Sequence, residues 1–126
     1  MTDANKVALE LPADGFANVG RLVIAGFASQ TGISVEAVDD LQLAVELLLA
    51  RVPLREHRAA IELTATESGF AVAVGRFHEG ALDTQLAGRL DEGLDLRTVL
   101  EHLVGRFELD RTSTWLTLRL DAEPGS

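Results

Sequence analysis

Three sets of side chains in this 126-residue chain could do chemistry: the adjacent carboxylates Asp39 and Asp40, the charged pair Glu46 and Arg51, and the histidines His57, His78 and His102 with the serines Ser29 and Ser113. Two carboxylates share acid and base roles only when both point into one site, and neighbours on a helix diverge by about 100°. Asp39 and Asp40 therefore read as charges that offset a helix dipole. The three histidines fall on separate segments, so no pair has metal-ligand spacing on one element. Neither serine has a histidine with an acid beside it in sequence, which leaves nucleophilic catalysis without a local signature. Cysteine is absent, excluding disulfides, thiolate metal sites and thiol nucleophiles. Arg51 could bind an acidic group or pair with Glu46 or Asp95. Trp115, the sole tryptophan, could anchor a partner or pack over neighbouring strand residues.

These residues must be positioned by elements that the hydrophobic periodicity outlines. Val7, Leu9 and Leu11 alternate with Ala8 and Glu10 as in a half-buried strand, which Pro12, Asp14 and Gly15 stop. From Phe16 the spacing becomes helical, with Phe16, Val19, Val23 and Phe27 on one face and Gly32 placed to close the helix. Gly20 and Gly26 weaken that helix and point to close packing against a neighbour. Ser34 then caps a second helix whose apolar positions are Val35, Val38, Leu41, Val45, Leu48 and Val52, ended by Pro53. Ile61, Leu63 and Ala65, then Phe70, Val72 and Val74, form an antiparallel hairpin turned through 67–69. The pattern decays between Arg76 and Asp91, where Leu82, Leu86 and Leu90 could form a short helix in a loose connection. Asp95 caps a third helix carrying Leu96, Val99, Leu100, Leu103 and Phe107, after which Leu109 opens a strand. In the last strand Leu116, Leu118 and Leu120 alternate with Trp115, Thr117 and Arg119. The sum is a single α+β domain over 1–126: a two-layer sandwich with a mostly antiparallel mixed sheet of about five strands, three helices on one face, and a frayed tail from 122.

A net charge of -9, from 20 acidic and 11 basic residues, is repelled by phosphate backbones and anionic lipids. Direct nucleic-acid binding is disfavoured, and a macromolecular partner with a basic surface is favoured. No stretch approaches the ~20 apolar residues that span a bilayer, and residues 1–15 lack the basic start and apolar run of a signal peptide. A soluble, cytoplasmic protein with no membrane contact is expected.

The run 22–32 followed by 38–46 resembles the first helix, connecting turn and acidic second-helix start of the anti-sigma-factor serine/threonine kinases of the GHKL, or histidine kinase-like, ATPase superfamily. Gly93, Leu94, Asp95 and Leu96, leading into 97–100, are similar to the glycine-rich G2 box of that family. The resemblance implies the Bergerat fold, Mg-ATP as cofactor, and a sigma factor or an anti-anti-sigma factor as protein partner. It also implies a homodimer formed through 7–30.

The family's own site residues fall on altered positions here. The N box needs a Glu to orient water and an Asn four residues later to hold Mg²⁺, and the aligned positions are Leu47 and Arg51. Shifting by one residue recovers Glu46, but its partner is then Ala50. The adenine-binding Asp and the Gly two residues on correspond to Gly75 and Phe77, with Glu79 or Asp83 as acceptors only if the loop folds back. In the G2 box Gly93 is kept, while Asp95 replaces a glycine and would aim negative charge at a polyphosphate. The expectation is therefore a degenerate, non-catalytic or catalytically impaired regulatory module in partner-switching control of transcription, with Mg-ATP binding lost or impaired and no cofactor. The alternative is an active serine kinase with Glu46 as base and carboxylates of 76–95 holding the metal. A third reading keeps only the fold, with some other small ligand in the old cleft.

Overall fold

The computed structural model describes residues 5–66, 69–87, 95–110, 112 and 114–121. Alternating apolar residues make β1 (Asn5–Pro12), which pairs with β2 (Arg58–Thr66) so that Leu9 faces Ile61. β2 continues into β3 (Gly69–Gly75) as the expected hairpin, whose turn residues 67 and 68 lie outside the described residues. The short β4 (Arg106–Leu109) and the longer β5 (Trp115–Asp121) complete a five-stranded sheet in the order β1-β2-β3-β5-β4. All its described pairings are antiparallel, so the parallel component of a mixed sheet is not found.

Period-2 alternation sorts the two faces. Ile61, Leu63, Val72, Val74, Leu116 and Leu118 are fully buried on one of them, each such side chain contributing roughly 1.5–3 kcal/mol when withdrawn from water. The residues between them, Glu62, Ala73, Thr117 and Arg119 among others, are exposed or half-buried on the opposite face. The helices α1 (Arg21–Ala28), α2 (Val35–Arg51), α3 (Ala81–Ala87) and α4 (Leu96–Val104) send their buried residues into the same core as the apolar strand face. The molecule is thus an α+β sandwich of two layers, with four helices rather than three.

α2 follows its expectation closely. The Ser34 hydroxyl accepts a hydrogen bond from the Ala37 N–H at 3.1 Å, and Val38, Leu41, Val45 and Leu48 are buried. Val35, at the first helical position, is 74% exposed and does not extend the stripe. α4 is capped by Asp95, but it stops before Phe107 because Gly105 adopts φ +79°, a left-handed conformation that glycine enters without strain. Phe107 accordingly belongs to β4, and Leu109 ends that strand instead of opening one. The stretch 76–91 does contain a helix, α3, which buries Leu82 and Leu86; Leu90 and the rest of 88–94 lie outside the described residues, as does the expected frayed tail 122–126.

The first helix departs most from its expected face. After a short turn at Ala13–Gly15, residues Phe16–Gly20 form a π-helical turn in which the Arg21 N–H donates to the Phe16 carbonyl, and only then does α1 begin. A wide i→i+5 turn holds more residues than an α-helical one and so shifts the phase of the buried face that α1 continues. The buried row is therefore Phe16, Gly20, Ile24 and Ala28, while Val19 is 50% exposed and Val23 and Phe27 are half-buried. Gly32 does not close the helix. Ser29 and Thr31 do so, the Thr31 hydroxyl donating to the Ala28 carbonyl at 2.7 Å.

Gly20 and Gly26 now separate. A Cβ on Gly20 would stand 2.3 Å from Cδ1 of the buried Phe16 ring, whereas one on Gly26 would meet nothing within 4 Å. Gly20→Ala is expected to destabilise the fold by about 1–3 kcal/mol through overpacking, and Gly26→Ala to stabilise it by up to ~1 kcal/mol through helix propensity. Urea unfolding of the two variants checks both signs.

Candidate functional site

Glu46 and Gln42 lie one turn apart on α2, on the side that meets α1. The Arg21 guanidinium donates to Glu46 Oε1 at 2.6 Å and to Gln42 Oε1 at 3.3 Å, and the Gln42 amide donates to the Arg21 carbonyl at 2.9 Å. Gln42 is almost fully buried yet satisfied. Glu46 is thereby engaged with α1. Arg51 stands five residues further on, roughly 140° around the helix axis, so the pairing of Arg51 with Glu46 is not formed. Arg51 is exposed in the last turn of α2, where its charge complements the helix dipole. Leu47 is half-buried and packs against the core.

α2 makes its broadest helix contact with α4. At the start of α4 the Asp95 carboxylate accepts from the Thr98 N–H at 2.7 Å, an ordinary N-cap. Gly93 lies outside the described residues. Beyond β3, Phe77 is fully buried in the core, and its N–H donates to the Thr114 carbonyl at 2.8 Å. Arg51, exposed at the end of α2, brings no oxygen donor to that helix face, and the acidic group at the start of α4, Asp95, is engaged with the backbone of its own helix. Among the described residues no three His, Asp or Glu side chains converge as a metal site requires, and His57, His78 and His102 are all exposed, on separate segments.

Gly75 and Trp115 are brought together. They are direct cross-strand partners on the uncovered sheet face, and the half-buried indole lies so close that a Cβ on Gly75 would be 2.6 Å from Trp115 Cδ2 and 2.9 Å from the Thr114 carbonyl. The indole is further fixed by the preceding turn. Asp110 Oδ1 accepts from the N–H groups of Thr114 at 2.9 Å and Trp115 at 3.1 Å, and Oδ2 accepts from the Thr112 hydroxyl at 2.8 Å. Desolvation pushes the Asp110 carboxyl up, but the hydrogen bonds from the Thr112 side chain and from the backbone of Trp115, Thr114 and Thr112 outweigh it and hold its pKa below the usual 3.8. Aspartate and threonine clustered at 110–114 are a turn signature that sequence reasoning could have used.

A concavity of about 750 Å³ opens beside this turn, lined by Arg55, Arg76, Glu79, Asp83, Thr112 and Trp115 among others. Glu79 and Asp83 are exposed at its rim. The two arginines were missed in the sequence because they come from different loops.

The two-layer α/β architecture is joined by a similarity to known proteins. Over 42 residues the chain is 45% identical to the serine-protein kinase RsbW of Listeria monocytogenes, and equally to that of Listeria innocua. The matched stretch is 32% of this chain and spans 27% of the length of those relatives. No family model matches the chain. Among the described residues no helix is long and apolar enough to cross a membrane.

Gly75→Ala is expected to cost about 1–3 kcal/mol in chemical unfolding and to move the Trp115 emission maximum, because the new methyl displaces the indole. For Asp110, the lowered pKa means stability that is present above the unfolded value of 3.8 and lost as pH falls through the lower folded value. In thermal melts between pH 7 and pH 2.5, the gap between the native chain and Asp110→Asn should therefore narrow as the acid end is approached.

Proposed function

We propose that this chain is a regulatory protein-binding module of the anti-sigma-kinase type, impaired in Mg-ATP binding and acting in bacterial partner switching. The observation that carries this reading is Asp95, whose carboxylate caps α4 at the place where the family presents a phosphate site. An anion already bound to a helix N-terminus offsets the field that would attract a second one. Leu47 and Arg51 at the N-box positions and Glu46 held by Arg21 support it further. The partial similarity to serine-protein kinase RsbW supports a partner-switching relation. The partners this reading names are a sigma factor, an anti-anti-sigma factor, or a second copy of the chain.

The same similarity favours a second reading, since the relatives are named as kinases. In that reading Glu46 must leave Arg21 to act as a base, and a metal must be held without the N-box asparagine. Thermal unfolding with and without Mg-ATP separates the two. A nucleotide at a hundredfold its Kd adds about 2.7 kcal/mol, a rise of several degrees for a domain of this size. The regulatory reading expects no shift at millimolar Mg-ATP, and a clear rise would replace it with the kinase.

A further inference from the structure

Arg55 and Arg76 differ from those described arginines that have a charged or aromatic partner. Arg21 is paired with Glu46, Arg58 with Glu10, and Arg119 with Glu108, while the Arg97 guanidinium lies 5.5 Å over the Phe107 ring. The side chains of Arg55 and Arg76 have no ion-pair or hydrogen-bond partner among the described residues, although both line one concavity with the carboxylates of Glu79 and Asp83. Opposite charges share a wall there without meeting.

The backbone that carries them is cross-tied. The Arg55 N–H donates to the Arg76 carbonyl at 2.8 Å, the His78 N–H donates to the Pro53 carbonyl at 3.1 Å, and Leu54 bridges Phe77 in antiparallel fashion. Leu54 and Phe77 are both buried, anchoring the two loops in the core. Phe77 also binds Thr114, whose turn is held by Asp110 and leads directly into Trp115. Three loops are thus locked around a half-buried indole, the kind of preorganisation that lowers the entropic cost of binding. The volume of about 750 Å³ is within the range of ligand sites.

We infer that this concavity binds a dipolar peptide segment of a protein partner: an acidic side chain toward Arg55 and Arg76, a flat apolar residue on Trp115, and a basic side chain toward Glu79 and Asp83. Guanidinium groups suit carboxylates through paired donors, and an indole face suits a flat apolar neighbour. A simple anion would satisfy the arginines but be repelled by the two carboxylates. A net charge of -9 further disfavours a purely acidic segment at long range. A segment with charges of both signs uses every charged group on the wall. The inference rests on the protein-binding reading for its partner, but its failure leaves that reading standing, because a partner can dock elsewhere on the fold.

Trp115 supplies the assay, since the chain has one tryptophan and no tyrosine. The probes are acetyl-Glu-Phe-Lys-amide and its reversed order, acetyl-Lys-Phe-Glu-amide, with analogues in which Glu or Lys is replaced by Gln. At least one dipolar order should change the emission saturably, and neutralising either charge should weaken binding by about tenfold. In Arg76→Gln, checked for an unchanged melting profile, the preference for Glu over Gln should shrink, because only Arg55 still faces the carboxylate, while the preference for Lys remains. Equal responses to all peptides, an unchanged preference in Arg76→Gln, or acetyl-Phe-amide, which carries no charge, binding as tightly as the tripeptides would overturn the inference.

Discussion

Val72 faces Leu118 and Val74 faces Leu116 across the β3–β5 pairing, and the rest of the molecule hangs on that register. It builds the middle of the apolar layer against which the helices bury their own core residues. Because side chains alternate, the same register sets Gly75 against Trp115 on the other face. A slip of one residue would bury Thr117 and Arg119 and turn the leucines outward. The close fit of indole on glycine therefore comes from the demands of the core beneath it, with no added machinery on the outer face.

The helical layer carries a different kind of constraint. α1 and α2 are joined by the Arg21 contacts to Glu46 and Gln42, which satisfy polar groups at the edge of the core. The ion pair is part-exposed and contributes little by itself. Its effect is directional: it orients a carboxylate toward a neighbouring helix, while the buried stripe of α2 sets which face that helix turns to the core. Asp95 acts similarly at α4, where a side chain satisfies a backbone donor of the helix terminus. In both cases a carboxylate is engaged in holding a helix.

Much of this was legible from periodicity where the pattern was long and unbroken. α2 and its Ser34 cap, the β2–β3 hairpin, the Asp95 cap and the alternation of β5 all follow directly from residue spacing. The phase of the first helix was not, because a π-helical turn at Phe16–Gly20 rotates the buried row away from the ordinary helical stripe. The end of α4 was misplaced because Phe107 continues the helical spacing while Gly105 breaks the backbone. Of the candidate site residues, Gly75 and Trp115 could each be singled out, but their contact needed the strand register. Arg55 and Arg76 carried no local signal at all, since their proximity depends on two buried anchors, Leu54 and Phe77, drawing separate loops together.

Gly105 is the only residue between α4 and β4. A connection that short leaves no slack, so the helix and the strand must move as a hinged pair. β4 is also the briefest strand and has a single neighbour, which makes it the least tethered part of the sheet. The whole change of direction from helix to sheet edge therefore falls on one backbone unit, and a side chain at Gly105 would have to be accommodated at positive φ.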